Sequence, residues 1–333
     1  MTTESLPAGP EKEINRERIL PVYRDRDVDR SQIRVAEEWD PDADVVLYEG
    51  DCLDLLKQIK DPVVRLGITS PPYNLGKEYE DHVVLEKYIE VHSQVIRDSH
   101  NVLVDGGSLC WEVGNYVENG GIVPLDILLW GYFAGEELKM KCRNRIAWVV
   151  PHGLHSKNRF SGRYEVVLWF TKGDGYYFDL DAVRVPSLYP KKKYFKGPKK
   201  GEVSSNPNGK NPSDVWTDLW GGISNVKHNH PEKTEHPCQF PETLVRRIVL
   251  ALSKKNEWVL DPYLGSGTTA AVCVQEGRKV VAAEIEHRYM KTAKARVRKR
   301  IRMVEKQFES GFRRQPAPAS AASVARAIAA RSR

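Results

Sequence analysis

A chain of 333 residues with 41% hydrophobic and 29% charged side chains, and a net charge of only +6, has the composition of a folded domain with room for an inserted lobe. No apolar run approaches the length of a membrane span, and the polar, acidic stretch 1–12 predicts no secretory signal. The five cysteines (Cys52, Cys110, Cys142, Cys238, Cys273) form no Cys-x-x-Cys pair, which argues against a zinc site or a disulfide framework and for reduced thiols in the cytoplasm.

Residues 1–42 mix charges with few apolar positions and predict a loosely held extension. The run 44–48 predicts a strand, and Glu49-Gly50-Asp51-Cys52 turns it into a helix over 53–59. Asp51 then stands at a strand's C-terminal end and at a helix's N-terminus, either as a cap favoured by the dipole or as an acceptor for a ligand. The apolar run 63–68 predicts a buried strand. Thr69-Ser70-Pro71-Pro72-Tyr73-Asn74 ends it, because proline lacks a backbone donor and fixes φ. Open α/β sheets place their ligand crevices at this end of a strand. The turn offers proline carbonyls as acceptors, the Ser70 hydroxyl and the flat Tyr73 ring. That set suits a planar aromatic amine, with acceptors for its N–H groups and a face to stack on. It equally suits a stiff turn over a core tyrosine.

A polar loop follows over 75–81, then a helix over 84–104 and a turn and strand over 106–113. Gly120-Gly121 is expected to open a helix running to about 137, and strands at 145–150 and 164–170 to pair as a hairpin at the sheet edge. Over 178–235 periodicity is lost and Pro, Gly, Asn, Lys and aromatics dominate. A run of this length without regular structure inside a compact domain is usually functional, and Trp216 and Trp220 argue against disorder. Within it Lys191, Lys192, Lys193, Lys196, Lys199 and Lys200 surround Tyr194 and Phe195, either a phosphate-neutralising patch or a solvated loop.

His236-Pro237-Cys238-Gln239-Phe240-Pro241-Glu242 precedes an amphipathic helix over 243–254 with Leu244, Ile248, Ala251 and Leu252 on one face. A strand over 257–261 leads into Pro262-Tyr263-Leu264-Gly265-Ser266-Gly267-Thr268-Thr269, a helix over 270–276 and a strand over 279–284 ending in Glu284. Strand, glycine turn, helix, strand and acid is the layout of a nucleoside-binding unit. Gly265 and Gly267 let the backbone approach a ligand, and Glu284 falls where a carboxylate accepts ribose hydroxyls. The Gly-x-Gly spacing is wrong for a dinucleotide-dependent oxidoreductase, and no Gly-Lys-Ser/Thr marks an ATP cradle. A basic helix over 287–306 and an Ala/Pro/Ser/Arg-rich tail complete the chain.

Thr69-Ser70-Pro71-Pro72-Tyr73 with Asp261-Pro262-Tyr263-Leu264-Gly265-Ser266-Gly267-Thr268-Thr269 far downstream resembles the β-class DNA amino-methyltransferases, over about residues 42–305. The resemblance implies a permuted, Rossmann-like, seven-stranded α/β methyltransferase sheet. It implies an extension (1–42), a catalytic half (43–177), an inserted target-recognition region (178–235), an S-adenosylmethionine-binding half (236–308) and a disordered basic tail (309–333). By position, Asp261, Tyr263, Gly265, Ser266, Gly267 and Thr268 would surround the amino-acid and ribose portion of S-adenosylmethionine. Glu284 would hold the ribose hydroxyls, Asp51 the adenine amine, and Phe240 and Pro241 the methionine side. Ser70, Pro71, Pro72 and Tyr73 would receive a flipped base, whose exocyclic amine attacks the sulfonium methyl in line, with no metal and no covalent enzyme intermediate. The Pro-Cys-Gln around Cys238 lacks the layout of a C5-cytosine nucleophile. The six lysines with Arg159 and Arg163 would contact double-stranded DNA. Ser-Pro-Pro-Tyr is typical of N4-cytosine enzymes of the family and Asp-Pro-Pro-Tyr of N6-adenine enzymes. The resemblance therefore favours N4-cytosine, with N6-adenine as the alternative and a non-catalytic DNA-binding protein of the same fold as the third reading. A companion restriction endonuclease and a second copy of the chain are the further candidate partners.

Overall fold

A computed structural model describes residues 32–73, 83–150, 155–187, 189–217, 223, 226 and 230–313. Asn74, the expected loop 75–81, Trp220 and the tail from 314 lie outside the described residues. In chain order the elements are β1 (Val35–Ala36), β2 (Val45–Glu49), α1 (Cys52–Gln58), β3 (Val64–Thr69), α2 (Leu85–Val102), β4 (Leu103–Val113), β5 (Asn115–Glu118), β6 (Gly121–Pro124), α3 (Leu125–Ala134), β7 (Lys141–Val149), β8 (Tyr164–Thr171), β9 (Val215–Trp216), α4 (Glu242–Leu252), β10 (Trp258–Asp261), α5 (Thr268–Glu276), β11 (Lys279–Glu284) and α6 (His287–Arg313).

One sheet runs in the order β1-β2-β11-β10-β3-β4-β8-β7-β9. The seven strands from β2 to β7 are the expected methyltransferase sheet, and a two-residue strand extends each edge. Pairing is parallel from β1 through β4 and antiparallel on both sides of β8. The last two strands of the sequence, β10 and β11, fill the middle of the sheet between β3 and β2. Their residues 258–261 and 280–283 are buried, as strands covered on both faces require. Two apolar layers provide that cover. Leu244, Ile248, Val272, Met290 and Val297 of α4, α5 and α6 pack on one face. Leu55, Val95, Ile96, Leu125 and Phe133 of α1, α2 and α3 pack on the other.

Four expectations change. The helix expected from Gly120 is instead a hairpin, β5–β6, followed by α3 from Leu125. Asn119 (φ 49°) and Gly120 (φ 81°) both take positive φ, as a two-residue hairpin turn matching strand twist demands, and Asn-Gly supplies it. The hairpin expected at the sheet edge forms between β7 and β8, but β9 covers β7, so the edge lies within the irregular segment that contains Trp216. The extension expected to be loosely held over 1–42 is folded from Ile33 onward among its described residues. There β1 pairs with β2, Ile33 packs on the core and Trp39 packs on Trp258 at 4.9 Å between ring centroids. Helix α6 also continues past 306 to Arg313. No helix among the described residues is long and apolar enough to cross a membrane.

Candidate active site

Four adjacent parallel strands, β2, β11, β10 and β3, end together at Glu49, Glu284, Asp261 and Thr69. The turn after each strand faces the same crevice, the position where open parallel sheets bind ligands. The result is a cleft of about 220 Å³ to which all four turns contribute. It takes in Asp51, the whole turn from Ser70 to Tyr73, Phe240, Tyr263, Gly265, Ser266, Thr268 and Glu284. The two sequence-distant motifs therefore converge.

They are also bonded. The Thr69 hydroxyl donates to Asp261 Oδ1 at 2.7 Å, and the Tyr263 backbone N–H donates to the same oxygen at 3.2 Å. Asp261 is fully buried behind the cleft and does not line it. Burial pushes its carboxyl up to about 6, against these hydrogen bonds. Gly267 does not line the cleft either. Its φ of 81° is left-handed, and a Cβ there would stand 2.8 Å from the Ala293 Cα, so glycine lets α6 approach the turn. Gly265 does line the cleft, with φ 53° and a Cβ position 3.1 Å from His236 Nε2. Pro241 caps the start of α4 outside the lining, while its neighbour Phe240 is part of it.

The carboxylates at the other strand ends are partly committed. Asp51 caps α1 through Oδ1, which accepts the Leu53 N–H at 2.8 Å, and it lines the cleft as well. Glu284 accepts the Gly265 N–H at 2.8 Å and the Glu286 N–H at 2.9 Å, and burial raises its carboxyl above the ordinary value. Each oxygen keeps a second lone pair for a hydroxyl donor. Tyr263 is pinned by its hydroxyl to His92 Nδ1 at 3.1 Å, and burial depresses that imidazole to about 3.

Sequence reasoning missed the partner of Tyr73. The Tyr73 hydroxyl donates to Glu112 Oε2 and lies 3.2 Å from Ser70 Oγ. Glu112 is buried on β4, and its other oxygen has no hydrogen-bond partner among the described residues. Burial, with the nearby charge of Glu165 on β8, holds the Glu112 carboxyl well above the usual carboxylate range. Burial and the same two carboxylates hold the Tyr73 hydroxyl protonated. Gly114 packs against this ring from outside the cleft lining, and a Cβ there would stand 3.1 Å from it. The signal available in sequence was an acid inside the apolar strand Leu109-Cys110-Trp111-Glu112-Val113.

The lysines from Lys191 to Lys200 are exposed on a looped-back segment in which Lys193 bridges Val203, and none lines the cleft. Arg159 is exposed and Arg163 half-buried on the loop between β7 and β8. No cluster of three or more metal-ligating side chains occurs among the described residues.

The chain's relatives fit this layout. A DNA methylase family model that spans N6 and N4 enzymes matches residues 64–295. The type II methyltransferase M.BglII of Bacillus subtilis is 48% identical over 248 residues, 74% of this chain and 67% of that protein. The DNA adenine methyltransferase YhdJ of Escherichia coli (strain K12) is 30% identical over 250 residues, 74% of this chain and 80% of that one. Among solved structures, the cytosine-N4-specific PvuII DNA methyltransferase shares the fold at TM-score 0.61 and 20% identity, over 81% of this chain and 94% of that one. The chain belongs to the N6/N4 DNA methylase family and is an S-adenosylmethionine-dependent DNA methyltransferase.

Proposed function

We propose that the chain transfers a methyl group to the N4 amine of a cytosine flipped out of duplex DNA. The observation that carries this reading is the meeting of two turns in one cleft, tied by the Thr69–Asp261 hydrogen bond. S-adenosylmethionine supplies an electrophilic sulfonium methyl. The residues present fit that donor: Glu284 offers lone pairs to ribose hydroxyls, Asp51 to an adenine amine, and Phe240 gives an apolar wall for the methionine side. Gly265, Ser266 and Thr268 bring backbone close to it, and Tyr263 packs from behind, fixed by His92. Asp261, Gly267 and Pro241 act through the shape of the turn.

On the opposite wall, the Ser70 Oγ and the Pro71 carbonyl accept the two N–H bonds of the target amine. The Tyr73 ring stacks on the base, with Glu112 fixing the ring through its hydroxyl. Drawing on both protons exposes the nitrogen lone pair for in-line attack. As the N–C bond forms the C–S bond breaks, and one amine proton passes by way of Ser70 to water. A neutral serine in the acceptor position favours cytosine. The N6-adenine reading is the alternative, supported by the YhdJ relative, which is a DNA adenine methyltransferase. In this reading residues 178–235 form the recognition insertion between a catalytic half (43–177) and a donor-binding half (236–308). The six lysines, Arg159 and Arg163 hold the DNA backbone. A companion endonuclease belongs to the proposal, supported by relatives such as M.BglII that are named type II methyltransferases.

The test is mass spectrometry of nucleosides from unmodified DNA incubated with the protein and S-adenosylmethionine. N4-methylcytosine supports the proposal, N6-methyladenine shifts it to the alternative, and no methylated base overturns both. Sequencing of the modified sites in the same sample yields the target sequence.

A further inference from the structure

The loop joining β7 to β8 holds a side chain that the methyl-transfer cleft leaves without a task. Phe160 is 99% exposed, the most exposed large hydrophobic residue among those described. The loop leaves the sheet at the end that carries the catalytic turn. Val149 pairs with Tyr164, the Val150 N–H donates to the Arg163 carbonyl at 2.9 Å, and β8 runs antiparallel to β4, so its first residues lie beside the last ones of β4. The foot of the loop reaches the pocket wall itself. A Cβ on Gly114 would stand 3.1 Å from the Tyr73 ring and 3.8 Å from the Glu165 side chain, so Gly114 sits against both.

The loop is also shaped and charged for one kind of partner. Residues 155–163 contain Lys157, Arg159 and Arg163 and no acid. The described part of the loop, 155–163, is held across its span by the Ser156 N–H, which donates to Ser161 Oγ at 3.1 Å. Phe160 stands inside that span. A phenyl ring with water on every side gains nothing in the free protein, whereas between two bases it buries both faces. Basic side chains next to it match the phosphates that flank any base step. Apolar side chains inserted between steps are a general means of offsetting the cost of unstacking DNA.

We propose that Phe160 is a wedge that enters the duplex and occupies the space vacated by the flipped target base, with Arg159 and Arg163 on the neighbouring phosphates. This rests on the reading that the chain methylates a flipped base. The wedge holds the base out of the stack, so it matters most where the base is fully paired. A target opposite an abasic position is already loosened and needs less help.

The test uses the full chain and duplexes carrying the target sequence mapped by sequencing, one fully paired and one with an abasic position opposite the target. Single-turnover methylation is measured for the wild type, Phe160→Ala and Phe160→Trp. Full exposure of Phe160 makes all three variants fold alike, which thermal unfolding checks. Phe160→Ala is expected to slow methylation of the paired duplex by about tenfold or more, to recover to within about threefold on the abasic duplex, and Phe160→Trp to stay near wild type. An Ala variant as fast as wild type on the paired duplex overturns the wedge. So does one equally slow on both duplexes, which marks the ring as a contact to protein or backbone. A wild type that methylates neither duplex removes the reading underneath, and the wedge with it.

Discussion

The Thr69 hydroxyl and the Asp261 carboxylate, 192 positions apart, meet in a buried 2.7 Å hydrogen bond between neighbouring strands β3 and β10. It joins the last residue before the Ser-Pro-Pro-Tyr turn to the last residue before the glycine turn. Its pH dependence follows from burial. In the fold the Asp261 carboxyl rises from 3.8 to about 6, so the folded state holds this proton more tightly than the unfolded chain does. The stability that the protonated form contributes is complete below pH 3.8 and is lost as pH climbs through about 6. A rise of that size, at about 1.4 kcal/mol per tenfold in proton affinity, amounts to about 3 kcal/mol. Asp261→Asn keeps an oxygen for Thr69 and Tyr263 and removes the charge. It is expected to unfold at higher urea than wild type at pH 7.5, with the difference closing by pH 4. An identical pH dependence in the two proteins, by urea titration, would count against this.

The Tyr73–Glu112–Glu165 group makes a separate pH prediction. Burial and Glu165 both raise the Glu112 carboxyl. Removing the charge of Glu165 lowers it, because a like charge no longer opposes ionisation. Any limb of the methylation rate that follows Glu112 is expected to move to lower pH in Glu165→Gln and to disappear in Glu112→Gln. Glu112→Ala takes the acceptor from a buried hydroxyl and is expected to cost about 1–3 kcal/mol of stability, while Glu112→Gln costs less. Rate–pH profiles and denaturation of the three variants decide it.

Much of this arrangement is legible in the sequence, for physical reasons. Proline and glycine announce strand ends, so both turns and the two strands that lead into them, β3 and β10, could be read directly. The strand Lys279–Glu284 fell where expected, ending on its acid. What failed was information held in the third dimension or hidden by a stronger local cue. Gly120-Gly121 drew attention from Asn119-Gly120, the pair that sets the hairpin. Gly267 looked like a ligand-facing glycine because positive φ is needed for either role, and only the position of Ala293 reveals that it serves α6. Glu112 sits in an apolar strand without local punctuation, so its tie to Tyr73 needed the pairing of β3 with β4.

The two glycines of the donor turn should respond differently to the same substitution. Gly267→Ala forces a Cβ to 2.8 Å from backbone of α6 at a left-handed φ of 81°, and backbone cannot step aside as a side chain can. Left-handed strain alone costs about 1–2 kcal/mol, and the clash adds to it. A clear drop in thermal stability is expected. Gly265→Ala, at a left-handed φ of 53°, carries the same kind of strain, but its nearest neighbour is the ring of His236 at 3.1 Å, which can move, and it fills the cleft. It is expected to lose affinity for S-adenosylmethionine by about tenfold or more with a smaller loss of stability. Calorimetric binding and thermal unfolding of both variants separate the two roles; equal losses in both measurements for both glycines would contradict the assignment.

The exposed lysine loop makes the last prediction, through salt. Each phosphate that a lysine neutralises releases condensed counterions, which contributes about 0.9 to the slope of log affinity against log salt. Lys191, Lys192 and Lys193 are exposed, and none lines the cleft, so their loss should leave donor binding and the chemical step alone. The triple alanine variant is expected to bind duplex DNA more weakly, with a slope shallower by about 2–3 and an unchanged single-turnover rate at saturating DNA. Fluorescence anisotropy across a salt series reads the slope. If it stays at the wild-type value, these lysines face solvent in the complex, and the backbone contacts must come from elsewhere on the chain, beginning with Arg159 and Arg163.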